Sequence, residues 1–116
     1  MKRKFAYITA PWGSDDAENT ENAAQYCREA YDLGYHPICP VMSMPLYLHD
    51  EIPQEHKDAI DMANDQLRRS CMLIMCGKKV TERMKDDIAL AARLSIPATT
   101  MEGLQAVRRV GRKTNA

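Results

Sequence analysis

The stretch that decides the fold reads Tyr7-Ile8-Thr9-Ala10-Pro11-Trp12-Gly13-Ser14. Residues 5–9 predict a buried β-strand, which ends by Pro11 because proline cannot donate a hydrogen bond to a sheet. The single tryptophan of the chain then stands beside a glycine and a serine, just before a predicted helix. In parallel α/β sheets, loops at the carboxyl ends of strands are where ligands bind. This segment is therefore the first candidate for one wall of a binding site.

Strands and helices alternate along the rest of the chain. The predicted strands cover residues 5–9, 36–39, 72–76 and 96–99. The predicted helices cover residues 16–33, 53–69, 81–94 and 101–110. Residues 41–52, between the second strand and the second helix, are predicted to form a loop.

This alternation predicts an α/β fold, a parallel sheet of about four strands with helices on both faces. Right-handed crossovers favour the strand order 2-1-3-4, a flavodoxin-like or Rossmann-like arrangement. We expect a single domain over residues 1–110 and a mobile tail over residues 111–116.

The composition narrows the class of protein. The chain has 116 residues, enough for one compact domain. Its 16 Lys and Arg residues balance 16 Asp and Glu residues, and this zero formal charge disfavours a nucleic-acid or membrane-surface partner. No apolar run approaches the roughly 20 residues that cross a membrane. The apolar stretch before Pro11 is too short for a signal peptide, so we expect a cytoplasmic protein.

The four cysteines, Cys27, Cys39, Cys71 and Cys76, include no Cys-x-x-Cys pair, and the three histidines complete no zinc pattern. We interpret the cysteines as buried, reduced thiols of a cytoplasmic protein, with a redox or metal role as the alternative. We predict no metal and no cofactor.

Asp87 stands out on the third predicted helix. At about 100° per residue, the inward arc of this helix consists of Met84, Ile88, Ala91, Leu94 and Ser95. Asp87 projects roughly 40° from the centre of the same arc. A carboxylate in that position is paired, faces a crevice or has a raised pKa. A functional role and an ordinary ion pair with Arg83, one turn earlier, are the two interpretations.

The strand order also predicts where a ligand binds. The chain reverses its direction of travel between strands one and three, which leaves a crevice between the loops that follow them. The candidate substrate-binding residues there are Thr9, Ala10, Pro11, Trp12, Gly13, Ser14, Gly77, Arg83 and Met84. Asp50, in the loop after strand two, is a further candidate, with simple solvation as the alternative.

The sequence resembles the nucleoside 2-deoxyribosyltransferase-like superfamily, and more closely a small bacterial and phage branch of it made of domains of unknown function. The resemblance extends from Lys4 to about Thr99. It rests on segments 7–11, 19–40, 81–88 and 94–97, in this order and at this spacing.

The resemblance implies an activity and two catalytic residues. In the transferases a glutamate attacks the anomeric carbon of the sugar and forms a covalent glycosyl-enzyme, the carboxylate chemistry of retaining glycosidases. That position corresponds to Asp87, and the tyrosine that assists the nucleophile corresponds to Tyr7. The implied function is binding of a nucleoside or nucleotide derivative, with N-glycosidic cleavage or deoxyribosyl transfer.

The chain also departs from the family pattern. Arg83 replaces a glycine, an aspartate replaces the glutamate, and Cys71 replaces an acidic residue before strand three. These differences define the alternative, a non-catalytic module that recognises or sequesters a nucleotide-like ligand.

Two further features concern partners. Trp12 is a candidate platform for a nucleobase, with a hydrophobic lid or subunit contact as the alternative. Met42, Met44, Tyr47 and Met62 predict an apolar patch, and the resemblance implies a homodimer or higher oligomer formed through it.

Overall fold

The computed structural model describes the backbone of residues 2–11 and 16–114 and the side chains of residues 2–11 and 21–107. Its strands are β1 (Phe5–Thr9), β2 (His36–Ile38), β3 (Met72–Met75) and β4 (Ala98–Thr100). Its α-helices are α1 (Asp16–Asp32), α2 (Pro40–Ser43), α3 (Pro53–Arg68), α4 (Glu82–Arg93) and α5 (Met101–Thr114). A 3₁₀ turn follows α2 at Met44–Leu46.

The four strands form one parallel sheet in the order β2-β1-β3-β4, which confirms the predicted topology. The first strand in sequence is thus central in space. Tyr7 of β1 lies between Ile38 of β2 and Leu73 of β3.

Alternation along β1 sends its side chains to two different layers, because successive residues of a strand point to opposite faces. Ala6 and Ile8 pack in a core with α1 and the start of α5. Tyr7 packs in the other core, with Leu67 of α3 and Leu90 of α4. Helices therefore cover both faces of the sheet, as predicted.

α4 begins where the sequence predicts, and for the expected reason. The Thr81 hydroxyl accepts a hydrogen bond from the Met84 N–H (3.2 Å), so Thr81 is the N-cap. Met84 and Ala91 of the predicted inward arc are buried. Leu94 and Ser95, at the end of that arc, are exposed, because the helix stops at Arg93.

The predicted loop 41–52 is wrong in its first half, where α2 and the 3₁₀ turn form. Pro40 occupies the first turn of α2, a position that suits its fixed backbone angle and missing N–H. The side chain of Met44 is buried, which anchors the turn. Tertiary contact thus stabilises helices too short to show a clear periodicity in the sequence.

The last strand and helix are displaced from their predicted bounds. Ser95 has a positive φ of 59°, and the Ile96 N–H donates to the Ala91 carbonyl (2.8 Å). This is the hydrogen bond of a Schellman helix end, so residue 96 closes α4 and β4 starts two residues later. α5 continues to Thr114, four residues beyond the predicted end at Val110.

Candidate active site

A buried hydrogen bond joins the central strand to α4. Thr9 lies two residues after Tyr7 and therefore on the same face of β1, towards α4. Its hydroxyl donates to Asp87 Oδ2 at 2.8 Å. Asp87 is only 2% exposed and Thr9 is fully buried, so the carboxylate is held in the layer between sheet and helix.

The surroundings of Asp87 make its charged form costly. Burial raises the pKa of the carboxyl above its ordinary range, and the neighbouring Asp86 adds to that rise. The hydrogen bond from Thr9 and the positive charge of Arg83 lower the pKa but do not cancel the effect of burial. A buried carboxylate with a raised pKa is a common property of functional sites.

Tyr7 lies within electrostatic range of the same carboxylate. Burial first, and then the charge of Asp87, raise the pKa of the Tyr7 hydroxyl well above its ordinary value. Arg83 lowers this pKa, but to a smaller extent. The hydroxyl therefore keeps its proton at neutral pH and is suited to donating a hydrogen bond.

Arg83 links this buried group to a surface cleft. Its side chain is half-buried and lines a cleft of about 500 Å³. Among the residues that the structure describes, no ion pair within 4.0 Å joins Arg83 to Asp87. The ordinary helical ion pair considered for Asp87 is therefore not formed in the described part of the chain.

The cleft has an apolar side and a polar side. Its remaining lining residues are Pro40, Val41, Met44, Pro45, Leu48, His49, Asp50, Glu51, Glu55, His56 and Ala59. The apolar side comes from α2 and the 3₁₀ turn. The polar side comes from the loop before α3 and the first turn of that helix. Such a surface suits a ligand that has a flat apolar part and several hydrogen-bonding groups.

Hydrogen bonds fix the polar side of the cleft. Asp50 Oδ1 and His56 Nδ1 lie 2.6 Å apart in a hydrogen bond. The His49 N–H donates to Glu55 Oε1 at 3.0 Å. The predicted candidates Asp50 and Arg83 thus line the same cleft.

The loops after β1 and β3 meet, as the strand order predicts. Gly77 has a positive φ of 96°, and a Cβ added to it would lie 2.7 Å from Pro11 Cδ. Only glycine fits this contact without a shift of the backbone or of Pro11.

The other predicted site residues divide into two groups. The side chains of Ala10 and Met84 are buried. Trp12, Gly13 and Ser14 lie outside the described residues. The described part of the candidate site therefore consists of β1, Gly77, α4 and the cleft.

Sequence reasoning missed two features of this region. It did not assign Thr9 as the hydrogen-bond donor to Asp87, and it did not predict His56 in the cleft. The alternation of β1 indicates that Thr9 shares a face with Tyr7. The place of His56 depends on how the loop before α3 folds, for which we find no signal in the sequence.

Comparison with known proteins places the chain in a family. The family model described as "Domain of unknown function (DUF7768)" matches residues 4–101. The chain belongs to this family. No curated protein matches its sequence.

A solved structure shares the fold of this DUF7768 chain. It is a 2-deoxyribosyltransferase from the psychrotolerant bacterium Bacillus psychrosaccharolyticus, with a TM-score of 0.63. The match is 12% identical in sequence and covers 83% of this chain and 70% of that chain. At this identity, the similarity establishes the deoxyribosyltransferase-like fold.

Among the residues that the structure describes, no helix is both long enough and apolar enough to cross a membrane. In the same part of the chain, no three His, Cys, Asp or Glu side chains are arranged to hold a metal ion.

Proposed function

We propose that this protein binds a nucleoside or nucleotide derivative beside Arg83 and cleaves or transfers its N-glycosidic bond, with Asp87 as the nucleophile. The observation that carries the proposal is the buried Asp87 carboxylate, held by Thr9 and close enough to Tyr7 to raise its pKa. The deoxyribosyltransferase-like fold supports the choice of substrate class.

The cost of burying Asp87 is the first argument. An isolated carboxylate in an apolar layer is strongly unfavourable, so it is normally neutralised by an ion pair or serves a function. Among the described residues, Thr9 alone donates a hydrogen bond to the Asp87 carboxylate, and none forms an ion pair with it. A single neutral donor stabilises a charge less than an ion pair does, which favours a functional role.

The chemistry follows from these groups. An Asp87 carboxylate oxygen attacks the anomeric carbon while the carbon–nitrogen bond breaks and the base leaves with the bonding electrons, then takes up a proton. Water, or the nitrogen of a second base, then attacks the same carbon and releases Asp87. Tyr7, which keeps its proton, donates a hydrogen bond to the carboxylate or to the sugar and does not act as a base.

The cleft accommodates the rest of the ligand. Its apolar side, formed by Pro40, Val41 and Met44, suits the face of a base, while Asp50 and Arg83 provide an acceptor and a donor. Trp12 is proposed as the stacking platform, with Gly13 and Ser14 beside the sugar. The edge of the site is formed by Met84, Ala10, Pro11 and Gly77.

One observation favours a second function, binding without turnover. Asp87 is almost completely buried, and the half-buried Arg83, which lines the neighbouring cleft, stands where the resemblance to the transferases implies a glycine. An attacking oxygen must reach the anomeric carbon at about 3–3.5 Å, and a displacement of 1 Å can reduce the rate about 100-fold. In this second candidate the same pocket recognises or sequesters a nucleotide-like ligand.

A single set of measurements distinguishes the two. Purified protein is incubated with nucleosides, 2-deoxynucleosides and their 5′-monophosphates, with base release followed by chromatography and binding by thermal shift. The enzyme proposal expects base release that is lost in Asp87→Asn and Asp87→Ala. Asp86→Asn, which changes the exposed neighbouring carboxylate, is the matched control and is expected to retain activity.

The outcomes lead to different conclusions. A rise in Tm without base release supports the binding module. No binding and no release across the whole panel would overturn both functions. Equal release by wild type and Asp87→Asn would remove Asp87 from the chemistry while keeping the substrate class.

A further inference from the structure

Two cysteine side chains pack in the same core, on the face of the sheet opposite Asp87. Cys27 lies on α1 between Ala23 and Ala30, at helical spacings that place all three against the same core. Cys39 directly follows β2 and packs in that core. The two thiols are close enough for a hydrogen bond between them to shift both pKa values, and all four cysteines of the chain are free.

The two thiols of this pair differ in chemical character. Their hydrogen bond lowers the pKa of Cys27, against the opposing effect of its partial burial, and raises that of Cys39, whose burial raises its pKa further. Cys27 is half-buried, whereas Cys39 is buried. Cys27 therefore combines greater thiolate character with access to solvent, the two properties that determine susceptibility to oxidation.

We propose that Cys27 and Cys39 are a modification site, a dithiol that a peroxide converts into an intramolecular disulfide. The Cys27 thiolate attacks one peroxide oxygen, the oxygen–oxygen bond breaks, and water leaves after protonation of the released hydroxide. The sulfur of Cys39 then attacks the Cys27 sulfenic acid, the sulfur–sulfur bond forms, and a second water leaves with the thiol proton. Two thiols and one hydrogen peroxide thus give one disulfide and two waters.

The disulfide would connect α1 to the wall of the cleft. The Cys39 carbonyl accepts hydrogen bonds from the N–H groups of Met42 and Ser43, so Cys39 fixes the start of α2. The next residues, Pro40 and Val41, line the cleft. Oxidation would therefore restrain one wall of the pocket, but the proposal does not depend on which ligand the pocket takes.

Peptide mapping tests the disulfide directly. The 116-residue chain is treated with one equivalent of hydrogen peroxide, alkylated under denaturing conditions and digested with trypsin without reduction. The sequence places Cys27 in peptide 5–28, Cys39 in peptide 29–57, and the other two cysteines together in peptide 70–78. The expected product is peptide 5–28 linked to peptide 29–57, with the loss of two hydrogens, from protein that runs as a single chain on a non-reducing denaturing gel.

Variants complete the test. Cys27→Ser is expected to abolish the link, while Cys71→Ser, at another half-buried thiol, is expected to keep it. In Cys39→Ser, the Cys27 sulfenic acid has no partner thiol and is expected to be trapped by dimedone. If that variant does not fold, the wild-type map still decides the question.

Three results would overturn the proposal. One is a link from peptide 5–28 to peptide 70–78, which would make Cys76 or Cys71 the partner. The second is a 5–28 to 29–57 link found only in covalent dimers. The third is conversion of Cys27 to a sulfinic acid, or its complete alkylation, with no link at all.

Discussion

At the scale of single residues, the fold tolerates a charge where apolar packing would stabilise it more. Asp87 occupies a position on α4 between the buried Met84 and Ala91. Its two local compensations are the hydrogen bond from Thr9 and the field of Arg83. Removing either of these two interactions, or the charge of Asp87 itself, therefore has a predictable effect on the free energy of unfolding.

Thr9→Val is expected to destabilise the protein by about 1.5–3 kcal/mol at neutral pH, because it leaves a buried carboxylate without its donor. The loss is expected to shrink at about pH 4, where Asp87 becomes protonated more readily. Urea unfolding at the two pH values measures both quantities. Thr9→Ser keeps the hydroxyl and serves as the control. An equal loss at both pH values would contradict the assignment of the hydrogen bond.

Asp87→Asn is expected to be more stable than wild type at neutral pH. Because the pKa of Asp87 is raised on folding, the native state binds this proton more tightly than the unfolded chain does. Wild-type stability therefore falls as the pH rises through the folded pKa, and the asparagine variant lacks that loss. A gain of about 1 kcal/mol corresponds to about 4 °C in Tm for a domain of this size.

Calorimetry of wild type and Asp87→Asn across this pH range provides the measurement. The two curves are expected to converge at low pH, where both side chains are neutral. A variant less stable than wild type at neutral pH would show that the charged form contributes net stability.

Helical periodicity alone predicted that Asp87 points inward. It could not predict the partner of Asp87, because the pairing of Thr9 with Asp87 depends on how α4 lies over β1. The position of Arg83 was likewise open, since an Arg side chain can reach an acid one turn away or turn towards a cleft. Sequence patterns thus place a residue on a face, whereas its contacts depend on packing between elements.

At the scale of elements, the contact between the β1 and β3 loops holds the edge of the site together. Pro11 and Gly77 come from loops on neighbouring strands, and the Cys76 N–H donates to the Thr9 carbonyl just before they meet (3.0 Å). The glycine combines a positive φ with a close neighbour, so any side chain there would separate the two loops.

Gly77→Ala is expected to cost about 2–4 kcal/mol, from backbone strain of about 1–3 kcal/mol and the clash with Pro11. Gly34→Ala is the matched control, because Gly34 has a similar φ of 99° and no neighbour within 4 Å of an added Cβ. Chemical denaturation measures the loss of unfolding free energy in each variant, and the difference between the two losses is the cost of the clash with Pro11. Equal losses would mean that Pro11 moves aside at no cost.

The long elements were predictable because residues in the sequence mark where each one begins or show that it is buried. Pro53 opens α3, Thr81 caps α4, and β3 is a continuous apolar run. The errors fall where a local signal is weak. α2 is only one turn long, and the left-handed residue that ends α4 is Ser95, where a glycine would have marked the stop.

At the scale of the whole molecule, general rules of topology predicted the strand order, and hence the approach of α4 to β1. They did not predict the cleft, because its walls, apart from Arg83, come from residues 40–59, where chain length and polarity leave many conformations open. The predicted apolar patch is partly wrong in composition. Met44 is buried, whereas Leu46 is 83% exposed beside Tyr47.

We expect the protein to form a homodimer through this revised patch, defined by Leu46, Tyr47, Ile52 and Met62. Wild type is then expected to sediment at twice the 13.2 kDa mass of one chain. Leu46→Glu is expected to raise the dimer Kd by about 30-fold, the effect of losing a hot-spot contact of about 2 kcal/mol. Val80→Glu, at another exposed apolar residue, is the control. A monomer at all concentrations would exclude the dimer.

The central position of β1 has a consequence for how the protein is made. Thr9 and Asp87 are separated by 78 residues, and β1 gains its second neighbour only when β3 has been synthesised. At about 5–20 residues per second, roughly 4–16 s pass between the synthesis of Thr9 and that of its partner. For most of that time, until β3 is made, the apolar β1 strand has an open edge, which is the kind of segment that chaperones bind and that aggregates when unprotected.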